Sequence, residues 1–253
     1  MWWHKHVGLG LRLGSALWQR GRKRWSETQI AVVVPAVLED PLGEESLYSR
    51  LGGVPVVART LLALDQMPLV REVVVVTREA ELMRMADLCR EFDIQRVRKV
   101  ICAREPGLGA LLAGVLECEG RTEYIGIHDP LRPFATEEVF RRAVATAEKH
   151  GAGIPAVAVK DTVKVVREGV VQETPNRSKL HLLQTPQVVE SNLLKAALCL
   201  AEKRSAAPAD LPAALELLGL SLRLAEGSDE NMRVSTEADF LAAETILRNE
   251  DNG

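Results

Sequence analysis

Apolar residues along the chain fall into two rhythms. Short unbroken runs, such as 30–34 (Ile-Ala-Val-Val-Val) and Val73 to Val76, have the length and β-branching of buried strands. Between them lie longer segments whose apolar residues recur every three or four positions, the spacing of a helix with one buried face. Read in order, strands are expected at 30–34, 70–77, 99–102, 124–128 and 154–159, and helices at 54–64, 79–91, 109–117 and 136–150. Strand and helix in repeated alternation predict an α/β fold with a doubly wound, mainly parallel sheet and helices on both faces. In such a sheet the loops after the strands share one edge, where ligands bind.

The rhythm changes after Lys160. Residues 162–167 and 170–173, joined through Gly169, read as a β-hairpin rather than a crossover. Residues 176–187 read as a polar connector, followed by helices at 191–202 and 211–218, a strand at 220–225 and a helix at 236–247. A two-stranded ribbon is marginal alone, so the segment from about 160 to 187 is expected to project as a dimerisation arm.

Composition agrees with a globular chain: 253 residues, 47% apolar and 26% charged, enough to bury a core. No run of about 18 uncharged apolar residues occurs, so no membrane-spanning helix is expected. Cys89, Cys102, Cys118 and Cys199 have no CxxC or metal-like spacing, which predicts reduced thiols and a cytoplasmic location. Charge is uneven. The first 25 residues hold six basic residues, no acid and all four tryptophans, although the net charge of the chain is −3. The body is therefore mildly acidic, which argues against nucleic acid as a partner. Segment 1–28 reads as an appendage to a single domain over 29–250. Its Trp and Arg residues suit a membrane surface or a protein. Its glycines suit an extension without a fold of its own, or a start codon placed too far upstream.

Chemistry concentrates where strands end. After the first strand, Pro35 and Ala36 lead into Glu39, Asp40, Gly43, Glu44, Glu45 and Ser46. A triphosphate cradle needs glycines for close backbone approach and Arg or Lys for charge, so this acidic loop is a poor one. After the fourth strand comes His128-Asp129-Pro130-Leu131-Arg132-Pro133. Asp129 offers a hard oxygen ligand to Mg²⁺, and Arg132 offers a planar fork to a phosphate. A structural Asp–Arg pair closing a turn is the alternative. Asp161 and Thr162 lie at the root of the hairpin, Arg177 and Thr185 on the connector, and Arg233 after the last strand. Each fits either a phosphorylated small molecule at the crevice or a solvated surface.

The ordered set Val-Val-Val-Pro-Ala (32–36), Leu-Gly-Gly-Val-Pro-Val (51–56), His-Asp-Pro-Leu-Arg-Pro (128–133), Val-Lys-Asp-Thr-Val-Lys (159–164), Gln-Thr-Pro-Gln (184–187) and Asn-Met-Arg-Val (231–234) resembles the 2-C-methyl-D-erythritol 4-phosphate cytidylyltransferase family. The likeness spans residues 29–247. It implies a Rossmann-like nucleotidyltransferase that uses CTP, Mg²⁺ and a sugar-alcohol phosphate, releases pyrophosphate, and forms a homodimer through the hairpin arm. It further implies that Asp129 contacts metal and substrate and that Arg132 belongs to the same turn. Arg177 and Thr185 match residues near the acceptor phosphate, Asp161 and Thr162 match the arm motif, and Arg233 stands where the family has a lysine.

Departures from the family fall on the nucleotide side. Ser46 occupies the position of a lysine that grips the triphosphate, and the arginine of the same loop has no counterpart. A second motif, two glycines followed by arginine and serine, is replaced by Ala103, Arg104, Gly107 and Ala110. Pro35, Ala36, Arg104 and Ser46 are what remains of that half. Three functions are compatible with this pattern. One is an attenuated cytidylyltransferase with substitute charge from Arg104 or the appendage. Another is a silent relative acting as a ligand-binding or partner subunit. The third is a nucleotidyltransferase for another alcohol or sugar phosphate.

Overall fold

β1 (Ile30–Pro35) fixes the centre of the molecule. Its residues Ile30 to Val34 are completely buried, as a strand with parallel neighbours on both edges and helices over both faces requires. The computed structural model describes residues 28–38, 41–104, 106–204 and 208–251, with backbone alone for 41–44 and 250–251. The basic, Trp-rich appendage, except for Thr28, lies outside the described residues, as do Glu39, Asp40 and Glu105.

From β1 the chain passes through α1 (Pro41–Tyr48), a short ladder of β2 (Arg50–Leu51) and β3 (Val54–Pro55), and α2 (Val56–Gln66). β4 (Val70–Thr77), α3 (Leu82–Glu91), β5 (Val97–Cys102) and α4 (Leu108–Glu117) follow. β6 (Tyr124–Ile127), α5 (Glu137–His150) and β7 (Ala152–Ala158) continue the alternation. The arm strands β8 (Val165–Arg167) and β9 (Val170–Glu173) pair only with each other among the described residues. β10 (His181–Leu183), β11 (Gln187–Glu190), α6 (Ser191–Glu202), α7 (Leu211–Glu216), β12 (Arg223–Glu226) and α8 (Glu237–Asp251) complete the chain.

The main sheet has the order β10-β7-β11-β6-β1-β4-β5, with β12 also on β7. Neighbours β6, β1, β4 and β5 run parallel, and β12 is parallel to β7. The expected α/β sheet is therefore present, mixed but mostly parallel. Two strands depart from the expectation: β10 lies within the segment read as a connector, β11 begins at its last residue, and both run antiparallel to their neighbours. Both lie on the edge of β7 that β12 leaves open. Leu183 faces Ala156 and Val188 faces Gly153, so one strand spends five steps where the other spends three. Gln184, Thr185 and Pro186 form the resulting bulge. The acidic segment after β1 also departs from a loop: it forms α1, with Pro41 at the first helical position that its fixed φ favours.

Alternation along β1 divides the core. Ile30, Val32 and Val34 pack with α2, α3 and α5, whereas Ala31 and Val33 pack with α4, α6 and α7. α5 is built for its position: Glu137 and Glu138 open it, Lys149 and His150 close it, and Gly151 at φ 82° ends it. Its backbone lies directly on β7, because a Cβ on Gly153 would stand 2.0 Å from the Ala143 carbonyl oxygen. All four cysteines are free. Burial raises the Cys89 thiol to about 11 and the Cys118 thiol to about 12. No described helix is long and apolar enough to cross a membrane.

Candidate active site

The turn after β6 is held from three sides. His128 N–H donates to the Val33 carbonyl of β1 (2.9 Å), Thr60 of α2 donates to the Pro130 carbonyl (2.7 Å), and Val234 N–H donates to the Leu131 carbonyl (2.8 Å). Within the turn, Leu131 N–H donates to Asp129 Oδ1 (2.9 Å), a side-chain mimic of a backbone turn. This fixes the Asp129 carboxylate at the edge where β1 and β6 end.

Two guanidiniums converge on its other oxygen. Arg233 Nε donates to Asp129 Oδ2 at 3.2 Å, and Arg132 Nε lies 3.8 Å from the same atom. Arg132 is further held by donation from Nη1 to the Asn231 carbonyl (2.5 Å). Their side chains are 15% (Arg132), 20% (Asp129) and 34% (Arg233) exposed, so the group carries a net positive charge in a partly desolvated setting. Burial lowers the Arg132 pKa, Asp129 opposes that shift, and Arg233 adds to it. Arg132 Nε and Asn231 Oδ1 are buried without a hydrogen-bond partner among the described residues. A cationic fork of this sort suits a phosphate.

The loop that brings Arg233 is fastened to the bulge. Gln184 donates from Nε2 to the Ser228 carbonyl (2.8 Å) and accepts from Ser228 N–H (3.1 Å). Asn231, fully buried, donates to the Thr185 carbonyl (2.8 Å). Gly227 permits this approach, since a Cβ there would stand 2.4 Å from Gln184 Oε1 and 3.0 Å from the Ala156 carbonyl oxygen. Thr185, in the bulge, accepts from Asp129 N–H (2.9 Å) and bonds His128 Nδ1 (3.1 Å). His128 Nε2 reaches the Arg132 carbonyl at 3.2 Å. Burial is the main reason that the His128 pKa falls to about 3, so the ring is neutral.

Asp129, Arg132, Thr185 and Arg233 thus meet in one cluster. Arg177 lies at the arm root, exposed, and donates to the Lys160 carbonyl (3.1 Å); Asp161 and Thr162 are exposed beside it. Lys160 also pairs with Asp229 (2.7 Å). Pro35 ends β1, and Ala36 N–H donates to the Val76 carbonyl (2.7 Å). Arg104 is exposed beyond β5. Ser46 is turned inward, buried, and donates to the Ser235 carbonyl (3.1 Å). Sequence reasoning passed over Arg78, which directly follows β4 as Arg104 follows β5 and donates to the Leu38 carbonyl (3.0 Å). It also passed over His128, Gln184 and Asn231 as cluster members. Each opens one of the quoted motifs, 128–133, 184–187 and 231–234, which is the signal that marks it.

Leu131 N–H occupies one lone pair of Asp129 Oδ1 and Arg233 Nε one of Oδ2, so the carboxylate keeps room for a further contact such as Mg²⁺. No group of three or more candidate metal ligands occurs among the described residues. Open clefts of about 380 Å³ between α5 and β12 and about 490 Å³ beside β5 lie away from the cluster.

A mostly parallel α/β sheet with a cationic cluster where its strands end, and an arm beside it, defines a Rossmann-like nucleotidyltransferase. Family comparison narrows this class. Residues 30–249 match the family described as IspD, 2-C-methyl-D-erythritol 4-phosphate cytidylyltransferase, and the chain belongs to that family. Its likeness to the enzyme of that name from Geobacter metallireducens is 35% identity over 209 residues, 79% of this chain and 88% of the relative. With the Halalkalibacterium halodurans enzyme of the same name it is 34% over 222 residues, 87% and 97%. Among solved structures, 4-diphosphocytidyl-2C-methyl-D-erythritol synthase from Anaerococcus prevotii superposes with TM-score 0.77 at 24% identity, covering 87% of this chain and 96% of that one. The 2-C-methyl-D-erythritol 4-phosphate cytidylyltransferase structure from Thermus thermophilus gives 0.69 at 20%, covering 87% and 100%. Those likenesses show the fold, and family membership supports a nucleotide-using cytidylyltransferase activity in general terms.

Proposed function

We propose that the chain transfers CMP from CTP to 2-C-methyl-D-erythritol 4-phosphate, or a sugar-alcohol phosphate of that type, at an attenuated rate. The single observation that carries this reading is the Arg132–Asp129–Arg233 cluster, a fixed cationic fork at the strand ends. An oxygen of the acceptor phosphate attacks the α-phosphorus of CTP. A new P–O bond forms, the bond to the bridging oxygen breaks, and pyrophosphate leaves with its electron pair. The chain contributes position and charge. Arg132 and Arg233 hold the acceptor phosphate, and Asp129 holds both guanidiniums in place. Arg177, Asp161 and Thr162 serve an acceptor site from the arm of a second copy, making the protein a homodimer. Pro35, Ala36, Arg104 and Arg78 border the nucleotide half. Asp129 would hold the Mg²⁺ that the family implies, and the ion would supply positive charge to the reacting phosphates. The domain spans 29–250, and 1–28 is an appendage for a membrane surface or a protein.

A specific observation favours a second reading, a catalytically silent relative. Ser46 spends its hydroxyl on Ser235 and supplies no cation where the family has a lysine. Loss of one aimed charge typically lowers a rate by roughly 10²–10³. Incubation of purified protein with CTP, Mg²⁺ and 2-C-methyl-D-erythritol 4-phosphate, with pyrophosphate as readout, separates the two. Slow turnover abolished by Asp129→Ala is expected. Absence of turnover, with calorimetric binding of the acceptor but not of CTP, establishes the silent relative. Release only with another alcohol phosphate reassigns the acceptor.

A further inference from the structure

We infer that His128 is a positioning residue: its buried imidazole accepts the hydrogen bond that the Thr185 hydroxyl donates, leaving the Thr185 oxygen to accept from the Asp129 backbone, so that the hydroxyl does not donate to the acceptor phosphate. This rests on the reading of the Asp129 cluster as the acceptor site. The proton assignment itself follows from geometry. The Arg132 carbonyl can only accept, so the 3.2 Å contact places the ring proton on Nε2. In a neutral ring Nδ1 is then bare and accepts at 3.1 Å from Thr185, which has one proton to give. A lone pair on the same hydroxyl oxygen accepts the Asp129 N–H at 2.9 Å. The opposite tautomer would set a bare Nε2 against a carbonyl oxygen and withdraw the acceptor from Thr185. The ring cannot turn out to water: it is 1% exposed, with the Phe140 ring centroid 5.2 Å away.

One imidazole therefore ties together the end of β6, the turn that carries Arg132 and the bulge that carries Thr185. Its effect on an acceptor is indirect, through the backbone beneath Asp129. A threonine donating straight to phosphate would not need the ring.

Long-range ¹H–¹⁵N spectra of the labelled full-length protein at neutral pH read the tautomer directly, with or without activity. A His128 signal protonated at Nε2 and bare at Nδ1 is expected; a proton on Nδ1 overturns the inference. Calorimetry with 2-C-methyl-D-erythritol 4-phosphate reads the consequence. His128→Gln keeps a donor for the Arg132 carbonyl but removes the acceptor for Thr185. It and Thr185→Val should each weaken acceptor binding about tenfold, the worth of one hydrogen bond, and Thr185→Ser should restore it. The double variant should be no worse than either single one, because both remove the same link. Full affinity in a folded His128→Gln alongside a weakened Thr185→Val would show that Thr185 acts on the ligand alone, and would overturn the inference. If His128→Gln does not fold, His128→Asn, which keeps an acceptor near Nδ1, should retain acceptor affinity while Thr185→Val loses it; an equal loss in His128→Asn would overturn the inference. A wild-type protein that binds no acceptor refutes the proposed function while the spectra still decide the tautomer.

Discussion

Asp129, Arg132 and Arg233 each depend on another member of the cluster, and the neutral groups around them depend on burial. His128 shows this most directly. Its pKa is about 3 in the folded protein and about 6.5 in an unfolded chain. Between those values the unfolded state binds a proton that the folded state refuses, so stability is retained above about 6.5 and lost as pH falls. The loss reaches at most about 1.4 kcal/mol per pH unit. Urea unfolding at pH 6.5 and pH 5 should show a decline of up to about 2 kcal/mol. That decline should flatten in His128→Asn; an unchanged slope would assign it to other groups. Charged members of the site were legible in the sequence, because Asp129, Arg132 and Arg233 stand at strand ends where charge has little structural purpose. His128, Gln184 and Asn231 were not, since a neutral polar residue becomes structural only when folding surrounds it with partners.

Elements behaved unequally. β4 and α6 have the bounds expected from their apolar spacing, Val70–Thr77 and Ser191–Glu202. β10 and β11 were hidden, because three-residue and four-residue strands separated by Gln-Thr-Pro carry too little periodicity of their own. Their pairing with β7 and β6 defines them. Close contact between elements gives a sharper test. A Cβ on Gly114 of α4 would meet side-chain methyls, Val33 Cγ1 at 2.5 Å and Val76 Cγ2 at 2.8 Å, which can shift. A Cβ on Gly153 of β7 would meet the Ala143 backbone carbonyl of α5, which cannot. Gly114→Ala should destabilise by about 1–3 kcal/mol, the usual penalty of overpacking, and Gly153→Ala by more. Chemical unfolding of the two variants checks the order, and equal effects would contradict the close docking of α5 on β7.

For the whole molecule, exposed apolar side chains gather along the arm. Val165, Val166, Val170 and Val171 are 45–60% exposed on a two-stranded ribbon, and Leu182 of β10 is 59% exposed. Burying a valine contributes about 1.5–3 kcal/mol. Val166→Glu with Val171→Glu should therefore raise a dimer dissociation constant at least about 100-fold. Sedimentation velocity should show wild-type dimers and variant monomers with unchanged far-UV circular dichroism; a wild-type monomer would remove the arm's proposed role. The sequence by itself determined the alternation of strands and helices, the projecting hairpin and the charged residues at strand ends, because each is written in local spacing and composition. Only the tertiary structure decided the bulge, the inward turn of Ser46, the fastening of Arg233 to Asp129 and the hydrogen-bond chain through His128. Those features arise from pairings between residues up to 189 positions apart, as with Ser46 and Ser235, which no local pattern encodes.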